Sequence, residues 1–443
     1  MRTSVTLKII RLVTALIPVK RVRRRLRDRW MTAARERCLA RMLPVVRARY
    51  AAHETACREK LARGERIRVA FLVCDASMFS TEPVFEKMKD DPRFDCFIAV
   101  VPRVTRGDAF LRDTLKKTTD ILSSRYSEVC SLYDPDTKVA QSLEGRSEVV
   151  FTSIVYDDQT LEQYTAFPLS RFALVACIPY GYGGHLSIDL RRMVFLPQMV
   201  LFWRLFVTSR ETLELWKAAN PLLEYNLAVG GYPKMDRLAE IPVRKNRPTT
   251  IIISPHHTLA RGDGKLSLSN FLRYADFFLR LPGEFPQVQF VFRPHPLLFP
   301  RLATSEWWGE KRTNAYREEM AALPNVEFQQ GGDYLDVFVN SDAMIHDCGS
   351  FLAEYFYTGH PQCYILSDKS VIDREFTEFG KRLHRHVVHA FSEDDIRDFM
   401  RRVVAQPAAI YTEDDAAFAD SNVCMFHPHA ADSVVEQIAR ELS

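Results

Sequence analysis

The sequence lacks the short motifs with which many enzymes hold a metal ion or a dinucleotide. Among its 443 residues there is no HExxH pattern, and the nine cysteines are scattered singly, without a CxxC pair or a Cys/His quartet. No GxGxxG segment follows the first predicted strand, so we expect no dinucleotide cofactor. Unpaired cysteines are typical of a reducing compartment and free thiols. We therefore expect chemistry that uses neither a metal ion nor a cofactor.

The chain also lacks an apolar run long enough to cross a bilayer. Its first apolar region, residues 4–19, is interrupted by Lys8 and Arg11, and the uncharged run from Leu12 to Val19 spans eight residues. A spanning helix needs about 20. No small-residue cleavage site follows, so a signal peptide is not expected. A second apolar region, residues 193–207, is broken by polar residues and is predicted to be a buried element of the body.

Positive charge is unevenly distributed along the chain. Residues 1–50 contain 15 Lys and Arg and two acidic residues, while the net charge of the whole chain is only +4. Ahead of a basic block that starts at Lys20, apolar side chains fall near one helical face: Val5, Ile9, Leu12, Val13, Leu16 and Ile17. An apolar stripe beside a polybasic block is typical of a helix on a membrane surface. We predict that residues 1–62 form a basic helical arm whose first 30 residues bind an anionic membrane.

Two other interpretations of this arm stay open. A basic helix that packs on the body has the same composition, and so has an arm that binds nucleic acid. No aromatic stacking residues are interleaved with the arginines, so nucleic acid is not an expected partner.

Strand-like and helix-like segments alternate through the rest of the chain. The first strand-helix-strand unit spans residues 67–101, and such units form parallel sheets covered on both faces. A polar segment with two prolines, residues 240–249, interrupts the alternation before it restarts. We therefore predict an α/β protein with two Rossmann-like domains, residues 63–240 and 241–443, and a cleft between them.

Four polar segments follow predicted strands, where βα units place ligand-binding residues. They are Gly231 to Asp236, Ser254 to Thr258, Arg293 to Pro296 and His346 to Ser350. In the third segment two prolines flank His295, and Arg293 adds a permanent positive charge. In the fourth, Gly349 and Ser350 permit a tight turn into a helix whose free N–H groups favour a phosphate without a metal.

Each segment also has a purely structural interpretation. A histidine between prolines is often a packing residue, and a Gly-Ser turn that opens a helix is often an ordinary cap. The four segments each stand at a strand end and are spread over two βα domains. This arrangement favours one binding site for a phosphate-linked donor.

These four segments resemble those of a known family. Arg293 to Pro296, and the segment from Asp347 to Pro361, are similar to the C-terminal half of CDP-glycerol glycerophosphotransferases, the teichoic-acid-type polymerases and primases. Ser254 to Thr258 and Gly231 to Asp236 fit the same pattern in the same order. The resemblance implies a GT-B fold, metal-independent transfer and peripheral attachment to the cytoplasmic face of the cell membrane.

The resemblance also implies a reaction. A hydroxyl of a cell-surface polymer, such as a capsule or a teichoic-acid-like chain, or of its lipid-linked precursor, attacks the β-phosphate of CDP-glycerol, and CMP leaves. His295 is the expected catalytic contact to the donor phosphates, and Gly349 and Ser350 would hold the pyrophosphate. The donor-binding candidates are Ser254, His256, His257, Arg293, Asp347, Gly349, Ser350 and Glu354.

The general base in the first domain departs from the family pattern. Family members carry His-Gly-(Thr/Ile)-Pro there, whereas Tyr180 precedes the first glycine in this chain. We predict that His185 or Asp189 takes the proton of the acceptor hydroxyl, unless this branch handles its acceptor differently. A base must come within about 2.6–3.2 Å of that hydroxyl, and a loop histidine such as His185 also has a plain structural interpretation.

Two other functions stay open on the sequence alone. A GT-B glycosyltransferase that uses a nucleotide-sugar would share the phosphate clamp and differ in the pocket for the transferred group. A catalytically silent, membrane-bound scaffold would keep the fold without the chemistry.

Overall fold

Two parallel β-sheets organise the chain. The computed structural model of the protein describes Val13 and residues 20–259, 266–406 and 409–443; of residues 20–38 it describes the backbone and the Trp30 side chain. Apart from Val13, the predicted apolar face at the N-terminus lies outside these residues.

The first sheet is built from the apolar, β-rich segments of the first half. Seven described strands form it in the order β3-β2-β1-β6-β7-β8-β9, all parallel. They are β1 (Ile67–Val73), β2 (Phe94–Val100), β3 (Val129–Ser131), β6 (Val149–Thr152), β7 (Leu174–Cys177), β8 (Arg204–Val207) and β9 (Leu227–Val229). An antiparallel pair, β4 (Tyr133–Asp134) and β5 (Val139–Ala140), stands apart. Every residue of β6 and β7 is buried, as in parallel sheets covered on both faces.

The second sheet repeats this architecture. Six described strands run parallel in the order β12-β11-β10-β13-β14-β15. They are β10 (Thr250–Ser254), β11 (Gln289–Phe292), β12 (Val326–Phe328), β13 (Ala343–His346), β14 (Gln362–Ile365) and β15 (Val388–Ala390). In the centre, Ile253 of β10 pairs with Phe292 of β11 and with Ile345 of β13. The polar segments after these three strands therefore emerge side by side.

Helices cover the faces of both sheets. In the described chain they are α1 (Lys20–Ala62), α2 (Glu82–Lys89), α3 (Asp108–Ser123), α4 (Ala166–Leu169), α5 (Ser187–Arg191), α6 (Arg210–Ala219), α7 (Phe271–Glu284), α8 (Leu298–Leu302), α9 (Gly309–Ala321), α10 (Leu335–Val339), α11 (Gly349–Glu354), α12 (Ser370–Glu375), α13 (Glu378–Leu383), α14 (Glu393–Ala405), α15 (Glu413–Asn422) and α16 (Ala430–Leu442). In α7, Phe271, Tyr274 and Phe278 recur at helical spacing and are buried in the core of the second half.

The first helix packs on the body over its second part. Leu39, Tyr50 and Cys57 of α1 are buried in the core of the first half. The hydroxyl of Tyr50 donates a hydrogen bond to the carbonyl of Leu201 at 2.7 Å. Among the described helices, none has both the length and the apolar character needed to span a membrane.

The last helix crosses back to the first half. Val434, Ile438 and Leu442 of α16 are buried in the first core, together with strands that lie more than 200 residues earlier in the chain. Residues 430–442 therefore complete the first half, although they follow the second half in sequence.

The segment Gly231 to Asp236 contacts the chain where it returns to the first half. The Asp236 carboxylate accepts a hydrogen bond from the N–H of Ala431 at 2.7 Å, at the start of α16. Gly231 has a φ of +73°, and a Cβ there would lie 2.4 Å from the carbonyl oxygen of Met425. Only glycine combines this backbone conformation with so close an approach.

The two sheets meet across a cleft. Residues that follow β1, β7 and β9 line one side of it, and residues that follow β10, β11 and β13 line the other. The halves also touch directly, since the N–H of Thr377 donates to the carbonyl of His185 at 2.9 Å. Two Rossmann-like halves whose strand ends share a cleft form the GT-B arrangement. The predicted fold class is confirmed.

Candidate active site

A cavity of about 1050 Å³ lies between the two halves. Strand ends position its lining residues, which is where parallel α/β sheets bind ligands. The first half contributes Asp75, Tyr180 and Lys234, among others. The second half contributes several of the predicted site residues: Ser254, His256, Arg293, His295, Gly349, Ser350 and Glu354. The structure therefore brings most of the predicted donor residues together on one wall, whereas His257 and Asp347 are not among the lining residues.

Three imidazoles meet in the second half, and two of them, those of His256 and His295, line the cavity. His256 and His257 follow β10, and His295 follows β11. The ring centroids of His257 and His295 are 3.9 Å apart, and those of His256 and His295 are 5.1 Å apart. Burial lowers the pKa of His257 to about 3 and that of His295 to about 4, and it lowers the pKa of His256 well below its ordinary value. All three rings are therefore neutral at pH 7.

The bonding of His295 decides what this cluster can hold. One ring nitrogen from each histidine lies within 4.8 Å of the others, a spacing that allows a metal ion. The N–H of Leu297 donates to Nδ1 of His295 at 3.1 Å, so the proton of the neutral ring is on Nε2. A protonated Nε2 cannot coordinate a metal, but it donates a hydrogen bond to an anion. The His295 ring therefore favours a phosphate ligand over a metal ion.

Arg293 is a buried cation with neutral partners. Its side chain donates to Oε1 of Gln329 at 2.7 Å and to the carbonyl of Gly332 at 2.5 Å. Within the described ranges, no carboxylate forms an ion pair with it. Because a guanidinium stays charged at any physiological pH, Arg293 gives the cavity a positive charge that is not held in an ion pair.

Ser254 and Asp347 hold this wall together. The Ser254 hydroxyl donates to the carbonyl of Arg293 at 2.8 Å, which ties β10 to β11. The two Asp347 oxygens accept the N–H groups of His256 at 2.6 Å and Asn270 at 2.5 Å. Asp347 is 1% exposed, and burial raises its pKa to about 7. It was predicted to bind the donor, but it lies behind the wall and positions His256.

Gly349 and Ser350 stand at the start of α11 and line the cavity, as predicted. This helix has only six residues before it continues as a 3₁₀ turn from Tyr355 to Thr358. Peptide dipoles add up along a helix, and so short a helix adds few of them. Side chains must therefore supply most of the positive potential at the cavity.

His185 does not reach the cavity. The ring is completely buried, its Nε2 donates to the carbonyl of Gly349 at 2.9 Å, and burial lowers its pKa to about 4. Asp189, the alternative base, accepts the N–H of Gly184 at 3.1 Å and also lies off the cavity wall. The structure does not put either residue where a base for the acceptor hydroxyl must lie. His185 instead joins the two halves.

Glu354 is a buried acid on the cavity wall. The hydroxyl of Tyr334 donates to one carboxylate oxygen, and the hydroxyl of Tyr232 donates to the other at 3.4 Å. Burial raises the pKa of Glu354. The Nζ atom of Lys234 lies 4.2 Å from the centroid of the Tyr334 ring. Glu354 thus orients the aromatic ring beside which a lysine of the first half lies.

Sequence reasoning missed several residues of this cavity. Asp75 directly follows β1, and its Oδ2 accepts a hydrogen bond from Arg103 at 2.5 Å. Lys234 stands inside the Gly231 to Asp236 segment, but only the segment was singled out. Tyr334 follows β12 and carried no signal of its own. For Asp75 the available signal was its position at the end of the first predicted strand.

Comparison with known proteins supports the fold. No protein-family model matches the chain, and a search of curated proteins finds no matching relative. The UDP-GlcNAc 2-epimerase from Neisseria meningitidis, bound to UDP-GlcNAc, is similar in structure with a TM-score of 0.54 and 13% identity, covering 85% of this chain and 100% of that chain.

A wall teichoic acid polymerase, TagF, solved with CDPG, is similar with a TM-score of 0.54 and 12% identity, covering 85% of this chain and 88% of that chain. The UDP-GlcNAc 2-epimerase from Methanocaldococcus jannaschii has a TM-score of 0.51 and 10% identity, with 85% and 100% covered. At these identities the likeness shows the GT-B fold alone. What the chain does must be argued from the cavity.

Proposed function

We propose that this protein is a GT-B transferase that moves glycerol phosphate from CDP-glycerol, or a related CDP-alditol, to a hydroxyl of a cell-surface polymer or its lipid-linked precursor. The observation that carries the proposal is the second-half wall. There, Arg293 without a carboxylate partner and the protonated Nε2 of His295 belong to one cavity. The resemblance of four sequence segments to CDP-glycerol glycerophosphotransferases supports the choice of donor.

The second-half wall acts on the donor pyrophosphate. The acceptor oxygen forms a bond to the β-phosphorus while the bond from this phosphorus to the CMP oxygen breaks, and negative charge spreads over the phosphate oxygens. Arg293 and His295 stabilise that charge, because a fixed cation and an oriented N–H act more strongly in a partly dry cleft than in water. Gly349 and Ser350 contribute backbone N–H groups at the same wall.

We assign the general base to Asp75. Its carboxylate lines the cavity at the end of β1, where Arg103, the N–H of Ser77 and the hydroxyl of Ser77 donate to it at 2.5 Å, 3.1 Å and 2.7 Å. An ionised carboxylate has about four acceptor positions, so these bonds leave room for the acceptor hydroxyl. Glu82 also lines the cavity, but Arg125 and a tyrosine hydroxyl already occupy it. Asp75 takes the acceptor proton as the new bond to phosphorus forms.

A glycosyltransferase that uses a nucleotide-sugar is the second candidate. One structural neighbour is an epimerase bound to UDP-GlcNAc, and a clamp for a pyrophosphate would serve UDP-sugars as well. The two candidates share the second-half wall and differ in the group that is transferred.

A donor panel tests the proposed function. The full chain is incubated with CDP-glycerol, CDP-ribitol and UDP-GlcNAc, and binding is measured by calorimetry and turnover by nucleotide release. We expect a CDP-alditol to bind and to release CMP when an acceptor is added. Release of UDP from UDP-GlcNAc alone would favour the glycosyltransferase, and binding without release from any donor would favour a silent scaffold.

We also propose that residues 1–30 attach the protein to the cytoplasmic face of the cell membrane. The support is the basic block from Lys20 to Arg29, which precedes the part of α1 that packs on the body. Each basic residue near an anionic surface adds about 1 kcal/mol of attraction. Cosedimentation with phosphatidylglycerol vesicles should decrease sharply when Arg23, Arg24 and Arg25 are replaced by Gln. Unchanged binding of that variant would contradict the proposal.

A further inference from the structure

Lys234 is a cation of the first half that lies in the cavity and, among the described residues, forms no ion pair; Glu354 and Asp333 are the acids whose charges act on it most strongly. It belongs to the 3₁₀ segment Pro233–Glu240 after β9 and is partly buried. Its Nζ atom lies 4.2 Å from the centroid of the Tyr334 ring. Throughout the described part of the chain, no hydrogen bond or ion pair engages this ammonium group.

Arg293 is the second cation beside the same ring. Its Cζ atom lies 5.7 Å from the centroid of Tyr334, and its hydrogen-bond partners are the neutral Gln329 side chain and the carbonyl of Gly332. Lys234 comes from the first half and Arg293 from the second. One aromatic ring thus has a cation from each half next to it.

The acids around this pair are already engaged. The Glu354 carboxylate accepts hydrogen bonds from two tyrosines, and burial raises its pKa, which favours its neutral form. Asp333 accepts the N–H of Leu335 at 3.1 Å, and Glu82 pairs with Arg125 at 2.7 Å. In the residues that the structure describes, no acid reaches ion-pair distance of Lys234 or Arg293.

Two like charges in a partly buried cavity are unfavourable unless an anion joins them. Their repulsion is weakly screened there, and burial alone penalises each charge. In agreement, burial lowers the pKa of Lys234. A ligand with two or more negative charges offsets both the repulsion between the cations and the penalty of burying them. Because the cations come from different halves, such a ligand also links the halves across the cleft.

We propose that Lys234 and Arg293 form a two-cation site for the diphosphate of the nucleotide donor, with Lys234 as the contact supplied by the first half. The naming of the donor as a CDP-alditol rests on the proposed function, whereas the diphosphate site rests on the two cations. Lys234 is therefore a ligand-contacting residue that the sequence pattern did not single out.

The test compares binding of inorganic pyrophosphate and of CDP to the full chain and to two variants at Lys234. Lys234→Met removes the charge and keeps the length of the side chain, and Lys234→Arg keeps the charge. A charge-assisted contact accounts for about a 10- to 100-fold change in affinity. We expect Lys234→Met to weaken both ligands by that factor and Lys234→Arg to retain most of the affinity. Calorimetry gives the dissociation constants.

The matched control is Lys116→Met. Lys116 is an exposed lysine of the first half that pairs with Asp120 and does not line the cavity. It should bind pyrophosphate as the unmodified chain does. Lys234→Met should also melt no lower than the unmodified chain, because it removes a buried charge. Equal pyrophosphate affinity in Lys234→Met and the unmodified chain would overturn the site, as would an equal loss in both Met variants.

The same data separate this site from the proposed function. If pyrophosphate binding depends on Lys234 but no CDP-alditol is turned over, the diphosphate site stands and the donor assignment fails. If CDP-glycerol is turned over equally by Lys234→Met and the unmodified chain, the donor assignment stands and the site at Lys234 fails. Salt gives a further readout, since added salt should weaken pyrophosphate binding more in the unmodified chain than in Lys234→Met.

Discussion

The two walls of the cleft differ in how their charged side chains are partnered. On the first-half wall, acids and arginines are paired: Asp75 with Arg103, and Glu82 with Arg125. On the second-half wall, the Arg293 side chain has only neutral hydrogen-bond partners, and the imidazole of His295 on the same wall is neutral. Paired acids suit a neutral hydroxyl acceptor, whereas the unpaired cations Arg293 and Lys234, one from each half, suit a phosphate. The comparison therefore supports the proposed division between an acceptor side at Asp75 and a donor side at Arg293.

The largest expected effect comes from a change at Asp75 on the first-half wall. Asp75→Asn keeps the size of the side chain but removes the proton acceptor, and loss of a general base lowers the rate by about 100- to 10,000-fold. We expect kcat for CMP release to fall by that factor while CDP-glycerol affinity changes little. His185→Asn is the comparison variant, because His185 lies off the cavity. If His185→Asn abolished turnover and Asp75→Asn did not, the base would have to be reassigned.

A change on the second wall should have the next largest effect. His295→Ala removes the Nε2–H that faces the donor phosphates, and loss of one such donor costs about 100- to 1000-fold in rate. Unlike Asp75→Asn, it should also weaken the binding of CDP-glycerol, which calorimetry reports. An unchanged rate of CMP release would exclude His295 from the reaction. The contrast between the two variants separates donor binding from activation of the acceptor.

The smallest expected effect concerns the stability of the fold and is measured at His346, a buried histidine of the second half. His346 is 1% exposed, donates to Gln362 at 3.0 Å, and burial lowers its pKa to about 3. An unfolded histidine has a pKa of about 6.5, so below that pH the unfolded chain takes up a proton that the folded chain refuses. Stability from this group is therefore present above pH 6.5 and lost as pH falls toward 3.

Denaturant unfolding at several pH values measures this loss. Between pH 6.5 and pH 5 the His346 contribution should fall by about 1.5 kcal/mol. His346→Leu should be less stable than the unmodified chain at pH 7 but lose less stability over that interval. Parallel curves for the two proteins would show that His346 is charged in the folded state.

Much of the fold could be predicted because parallel strands that are buried on both faces are short apolar runs in the sequence. The central strand β10 contains three consecutive isoleucines, and the predicted strand-helix-strand unit at 67–101 begins with the first residue of β1 and ends one residue after β2. Short edge strands such as β3 and β15 carry three residues each, too few for a periodic pattern. They form because the neighbouring strand offers hydrogen bonds, which no local pattern reveals.

The second-half wall of the cavity could be predicted for a similar reason, and the first-half wall could not. The polar segments after β10, β11 and β13 are adjacent in space because their strands are adjacent. His185 looked like a base because glycines surround it in the sequence, but its position depends on a distant partner, the carbonyl of Gly349. Lys234 likewise lies beside a residue that is distant in sequence, Tyr334, which is 100 residues later in the chain. Such pairings arise only when the halves meet.

The return of α16 to the first half has a consequence for how the protein is made. A nascent chain that has just completed β9 still exposes the apolar surface that Val434, Ile438 and Leu442 will cover. That surface stays open while a ribosome adds roughly 200 further residues, at about 5–20 residues per second. Over those seconds the first half is a partner for chaperones or for other nascent chains. A fragment that ends before Ala430 keeps this exposed surface permanently, so it is expected to aggregate.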